Sequence, residues 1–191
     1  RPMTSTTHHL TASHAESTTD DVTASAPART TDPTPRLKHV RAAGTWRGAM
    51  TTSLHVRDFA PFATGEPEAV GGDDSAPTPM EYVAAALNGC LVVVTETVAR
   101  ELGIALVDLA VDTDATMDTR GFAGTAEVPP YFTHVAVTVL VTTTGIPAQV
   151  EELRAQVQRR CPALTLIAAA GVPVDAEWLI TPADGGTGAE A

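Results

Sequence analysis

The sequence predicts an α+β domain in which antiparallel sheets are wrapped around one long buried helix, on three observations. Residues 77–103 read as a helix that is apolar on nearly every face. Two later runs, 107–117 and 131–143, alternate apolar and polar residues with a period of two. The remaining helices fall together between 147 and 170 rather than alternating singly with strands.

Taken in order, residues 1–36 are rich in Thr, Ser, Ala and Pro and lack apolar periodicity. Such a segment cannot bury enough surface to offset the entropy of ordering, so a disordered tail is expected. Its His8, His9 and His14 lack the additional ligands of a good metal set. The domain proper is expected over 37–182, with a flexible Gly-rich tail at 183–191. Residues 40–46 and 49–56 read as two short strands joined by an Arg47-Gly48 turn. Residues 57–68 read as irregular, and 71–79 as the loop that delivers the chain to the central helix. There Thr78 is the expected N-cap, with Pro79 at the first helical position and Glu81 completing a capping box. Gly103 supplies the left-handed stop. Glu81, Glu96, Arg100 and Glu101 leave an apolar stretch too short for a bilayer, so a helix buried inside a soluble protein is expected.

Beyond Gly103, Val107, Leu109, Val111, Ala115 and Met117 should point to a core. Asp108, Asp112, Asp114 and Asp118 should point to solvent. In the next strand Val135, Val137, Val139 and Val141 form the buried set, and His134 reads as structural. Pro147 opens a second helix that breaks at Cys161-Pro162, because the residue before a proline is pushed out of the helical region. A short apolar helix over 163–170 and a last strand over 172–180 complete the order.

Composition narrows the function. The chain has 191 residues, long enough for one domain with a proper core. A formal charge of −11 with only 12 Lys and Arg argues against nucleic acid or an anionic membrane as partner. Aromatics at 4% leave little for stacking. Two cysteines do not make a disulfide scaffold and no stretch reads as a secretory signal, so a cytoplasmic location is expected. Dinucleotide, phosphate-loop, serine-hydrolase and zinc motifs are all missing, and no cofactor or metal is expected. What remains is Cys90, inside the central helix, and Cys161, at a helix break beside Arg159 and Arg160. Each suits a small buried hydrophobe as well as a reactive thiol.

The residues around them add a resemblance. GGDDSAPTPMEYVAAALNGC, residues 71–90, followed by RRCPAL, residues 159–164, resembles the OsmC/Ohr family of thiol peroxidases over roughly 37–182. The resemblance implies an OsmC-like fold assembled as an intertwined homodimer with active sites near the subunit interface. It implies that Cys90 is the peroxidatic cysteine, attacking an organic hydroperoxide to give an alcohol and a sulfenic acid. Cys161 would be the resolving cysteine that closes an intramolecular disulfide, reopened by a dithiol reductant such as a lipoyl protein. Arg47 is the best match to the family's activating arginine, with Arg41 and Arg57 in reserve. Glu81 stands one residue later than the glutamate of Ohr-type sequences, which leaves it as arginine partner or as helix cap. The alternative is an OsmC-like dimer that binds a small molecule or senses redox state with little peroxidase activity.

Overall fold

The computed structural model describes residues 33–183. The described residues fall into two units, divided between Val40 and Arg41. Of the first, residues 33–40 are described and carry no helix or strand. The expected tail, with its three histidines, lies outside the described residues up to 32, as does the C-terminal stretch from 184.

The second unit begins with an antiparallel three-stranded meander: β1 (Ala43–Gly48), β2 (Thr51–His55) and β3 (Phe62–Thr64). The turn between β1 and β2 is not at Arg47-Gly48 but at Ala49 and Met50, both at positive φ (43° and 58°). Two-residue hairpin loops of mirror-image type need positive φ at both central positions, a signal that Ala-Met does not carry. The register shifts between Trp46 and Gly48, which makes Arg47 the extra residue of a β-bulge beside the turn. The stretch expected to be irregular, 57–68, contains β3, and a 3-10 turn at Glu68–Val70 starts at its end.

The approach to the first helix is held by its glycines and by Asp73. Gly71 takes φ 96°, and a Cβ on Gly72 would lie 1.8 Å from the carbonyl oxygen of Glu66. Asp73 accepts hydrogen bonds from the Ser75 hydroxyl (2.6 Å), the Ser75 N–H (3.2 Å) and Thr51 (3.3 Å). Helix α1 (Pro79–Glu101) then starts with the capping box in place: Glu81 N–H donates to Thr78 Oγ1 at 3.2 Å, and Thr78 N–H to Glu81 Oε2 at 2.6 Å. Gly103 closes the helix at φ 67°.

By length and composition this helix is apolar enough to cross a membrane, contrary to the expectation that it is too short. It packs against the other elements along one side only. Leu87, Leu91, Thr95, Val98 and Ala99 are buried, whereas Val83 and Val93 on the other side are 42% and 62% exposed. The expected burial on every face is therefore not achieved by one chain.

The second sheet consists of β4 (Leu106–Met117), β5 (Phe132–Thr143) and β6 (Val174–Pro182), in that order. β4 and β5 are antiparallel, but β5 and β6 are parallel, so the sheet is mixed rather than antiparallel as expected. The parallel connection is made through α3 (Pro147–Arg160) and α4 (Pro162–Ala169), which form the crossover that such a pair requires. Short helix α2 (Thr119–Ala123), N-capped by Asp118, lies between β4 and β5.

The β5 valines 135, 137, 139 and 141 join Leu87, Leu91, Val98, Leu153, Val157 and Leu164 in one apolar core. A bulge between Leu106 and Asp108 turns Val107 out to solvent and puts Leu106 against the core in its place. Asp108, Asp112 and Asp114 are exposed as expected, and Asp118 pairs with Arg120, which holds its carboxyl down to about 2. His134 is not alone: its Nε2 lies 2.9 Å from Asp175 Oδ2 on β6.

Candidate active site

The site is built where the middle of α1 meets the break between α3 and α4. Cys90 lies on α1 at the edge of the core, partly buried and packed against it. Cys161 is the last-turn cap of α3 and at the same time the N-cap of α4. Its φ and ψ (−74°, 111°) are extended, as the following proline demands. Its N–H donates to Val157 O at 2.9 Å and its carbonyl accepts from Thr165 N–H at 3.0 Å and Thr165 Oγ1 at 2.9 Å. The backbone is thereby fixed, and the residue is 0% exposed.

The fold brings the two cysteines together although 71 positions separate them in the chain. Burial, the largest influence, raises the Cys161 pKa from 9.0 to about 11. The hydrogen-bonding and charge effects of Cys90 push it the same way, while the Leu164 and Ala163 backbone N–H groups at the start of α4 oppose the rise. Both cysteines are free thiols. The arrangement is that of a dithiol with one more accessible sulfur and one shielded sulfur, whose ionised form has N–H donors waiting at a helix N-terminus.

Other side chains fix the frame. Thr113 Oγ1 on β4 donates to Asn88 Oδ1 on α1 at 2.5 Å, tying the helix to the sheet two residues before Cys90. Arg160 makes a two-pronged ion pair with Glu101, Nη1 to Oε2 at 2.5 Å and Nη2 to Oε1 at 2.8 Å, which raises the guanidinium pKa. Thr95 Oγ1 on α1 and Gln156 Oε1 on α3 are buried oxygens without a hydrogen-bond partner. None of these was legible as part of the site. Each signal is a tertiary contact, and the residue types alone are unremarkable.

Among the described residues no hydrogen bond or ion pair joins Arg41, Arg47 or Arg57 to either cysteine. Arg47 is exposed and makes no hydrogen bond or ion pair among the described residues. Arg57 stacks on Phe59, 4.5 Å from the ring centre, and Arg41 is exposed. Glu81 serves the capping box, nine residues before Cys90 and so about 13 Å away along the helix axis. No group of His, Cys, Asp and Glu side chains among the described residues could hold a metal ion. An apolar cavity of about 680 Å³ lies at the start of α1 between Val70, Pro79, Met80, Met117 and Phe122, and neither cysteine lines it.

Comparison with known proteins agrees with this architecture. The family model for OsmC-like protein matches residues 72–177. No significant relative was found among curated proteins. Among solved structures, an OsmC-like protein from Mycoplasma pneumoniae aligns with a TM-score of 0.63 at 12% identity, covering 76% of this chain and 97% of the other. An organic hydroperoxide resistance protein OsmC from Legionella pneumophila aligns at 0.55 and 20% identity, over 77% and 99%. An organic hydroperoxide resistance protein from Elizabethkingia anophelis aligns at 0.54 and 14% identity, over 78% and 100%.

Proposed function

Because the chain belongs to the OsmC-like family, we propose that it is a thiol-dependent peroxidase that reduces organic hydroperoxides in the cytoplasm, in defence against oxidative stress. The observation that carries this reading is the meeting of Cys90 and Cys161 across 71 positions of sequence, one sulfur accessible and the other shielded. The Cys90 thiolate attacks one oxygen of the hydroperoxide; the O–O bond breaks, the alkoxide takes a proton and leaves as alcohol, and Cys90 is left as sulfenic acid. Cys161 then attacks that sulfur, a disulfide forms and water leaves. A dithiol, for which a lipoyl protein is the model, exchanges with the disulfide and restores both thiols.

The working form is a homodimer. Support comes from what one chain leaves uncovered: the Val83–Val93 side of α1, and a first sheet whose strand β1 is exposed almost throughout, with Trp46 at 76%. Small sheets need packing against another layer to be stable. Covering these surfaces with a second copy would also carry the β1–β2 hairpin, and Arg47 on its bulge, to the partner's Cys90. We assign Arg47 as the cation that lowers the pKa of that thiol, and leave Glu81 as a helix cap.

The first test is stopped-flow oxidation by cumene hydroperoxide and by hydrogen peroxide, with free thiols counted before and after. Both thiols should be lost, faster with the organic peroxide. Thiols that survive an excess of it for minutes would sink the reading. The apolar cavity at the start of α1 would then favour the second reading, a ligand-binding or redox-sensing dimer, to be checked by native mass spectrometry for a retained small molecule. Arg47→Ala should slow the first oxidation by at least about tenfold, the cost of one pH unit in thiol pKa. Mixed dimers of Arg47→Ala and Cys90→Ser chains should recover up to half the wild-type activity, since one site then has both groups. No recovery would place the arginine in the same chain as its cysteine, or outside the site.

A further inference from the structure

We propose that Arg160, acting through Glu101, is a positioning residue for closure of the Cys90–Cys161 disulfide, a step that rests on the peroxidase reading above. Glu101 is the last residue of α1, where a carboxylate faces the negative end of the helix dipole. Its position is unfavourable for the helix alone and is offset by the fork of Arg160, the last residue of α3. The pair is partly shielded, with side chains 31% and 44% exposed.

The spacing gives the pair its use. Glu101 follows Cys90 by eleven residues, three turns of helix, so both occupy the same side of α1 about 16 Å apart along the axis. Arg160 and Cys161 are adjacent. One dipeptide at the α3–α4 break therefore reaches α1 at two separated points, through the guanidinium at one end and the thiol at the other. A single contact would leave the break free to swing. Two contacts fix its rotation and hold the Cys161 sulfur toward Cys90. Cys161 itself adds the second constraint on its backbone, through Val157 and Thr165.

In the closure step the Cys161 sulfur displaces the oxygen of the Cys90 sulfenic acid, the S–S bond forms, and the proton of Cys161 leaves with that oxygen as water. A held sulfur raises the effective concentration of the attacking group. The test equilibrates the full chain with reduced and oxidised dithiothreitol and reads the disulfide fraction by alkylation and mass spectrometry. Arg160→Gln and Glu101→Gln should each lower the equilibrium constant for the disulfide about fivefold, the upper end for a half-exposed bidentate pair. Closure after a stoichiometric pulse of cumene hydroperoxide should slow in parallel. The first oxidation of Cys90, read in a Cys161→Ser background, should stay within about twofold of the parent. Arg160→Glu combined with Glu101→Arg should restore the equilibrium.

An unchanged equilibrium and closure rate in both single variants would overturn the proposal. So would a first oxidation slowed as much as closure, since the pair would then act on the fold at large. Should the protein ignore hydroperoxides altogether, the dithiothreitol equilibrium still decides the role of the pair, because it forms the same bond without peroxide.

Discussion

At Cys161 burial and helix polarity act in opposite directions, and burial prevails, setting the thiol at about 11 against an ordinary 9.0. The sign of the consequence follows from proton linkage. A pKa raised in the folded state means the native chain holds its proton where the unfolded chain has lost it. The resulting contribution is fully present below pH 9 and disappears as the pH rises toward about 11. Two pH units correspond to about 3 kcal/mol as an upper bound. Urea unfolding of the wild type and of Cys161→Ala should therefore show a difference in stability that shrinks across that range. A constant difference would mean that the thiol is not shielded in solution. The chemistry of this residue was only partly legible in the sequence. Cys-Pro announces the helix break and hence the extended backbone, but the neighbour that matters, Cys90, arrives from 71 positions away. Arg160 beside it reads as an ordinary helix-terminal cation until Glu101 is seen opposite.

Among the elements, α1 was the most legible, because its start is written in local chemistry: Thr78, Pro79 and Glu81 at fixed offsets, with Gly103 at the far end. The loop before it is equally specific. Gly72 has no room for a side chain against the Glu66 carbonyl, so Gly72→Ala should cost about 1–3 kcal/mol, the usual range for forcing atoms into a filled space. Chemical denaturation measures it, and a neutral outcome would mean that the loop is free to move aside. The features that the pattern missed are those it does not encode. Alternation of apolar residues finds a strand but not its direction, which is why β6 proved parallel to β5. One bulge inverts the facing of everything on its far side, which is how Val107 came to solvent. The hairpin turn sits on Ala49 and Met50 rather than on the glycine that suggested it.

At the scale of the molecule, the pattern of α1 describes a helix covered all round, while one chain covers one side of it. Read literally, the sequence specifies more neighbours than a single copy provides, and the proposed homodimer would supply the rest. Val93→Lys should leave a single chain's stability within about 0.5 kcal/mol, as exposed substitutions do, yet shift the protein from dimer to monomer in sedimentation velocity. A dimer that persists would require another surface for the contact. The same order of elements also sets a clock. Cys90 leaves the ribosome 71 residues ahead of Cys161, which at 5–20 residues per second is roughly 4–14 s, and the two cannot meet before the α3–α4 break has been made. For that interval each newly made chain presents one thiol without its partner, so a culture under peroxide stress should accumulate over-oxidised Cys90 in nascent chains before it does so in the finished protein.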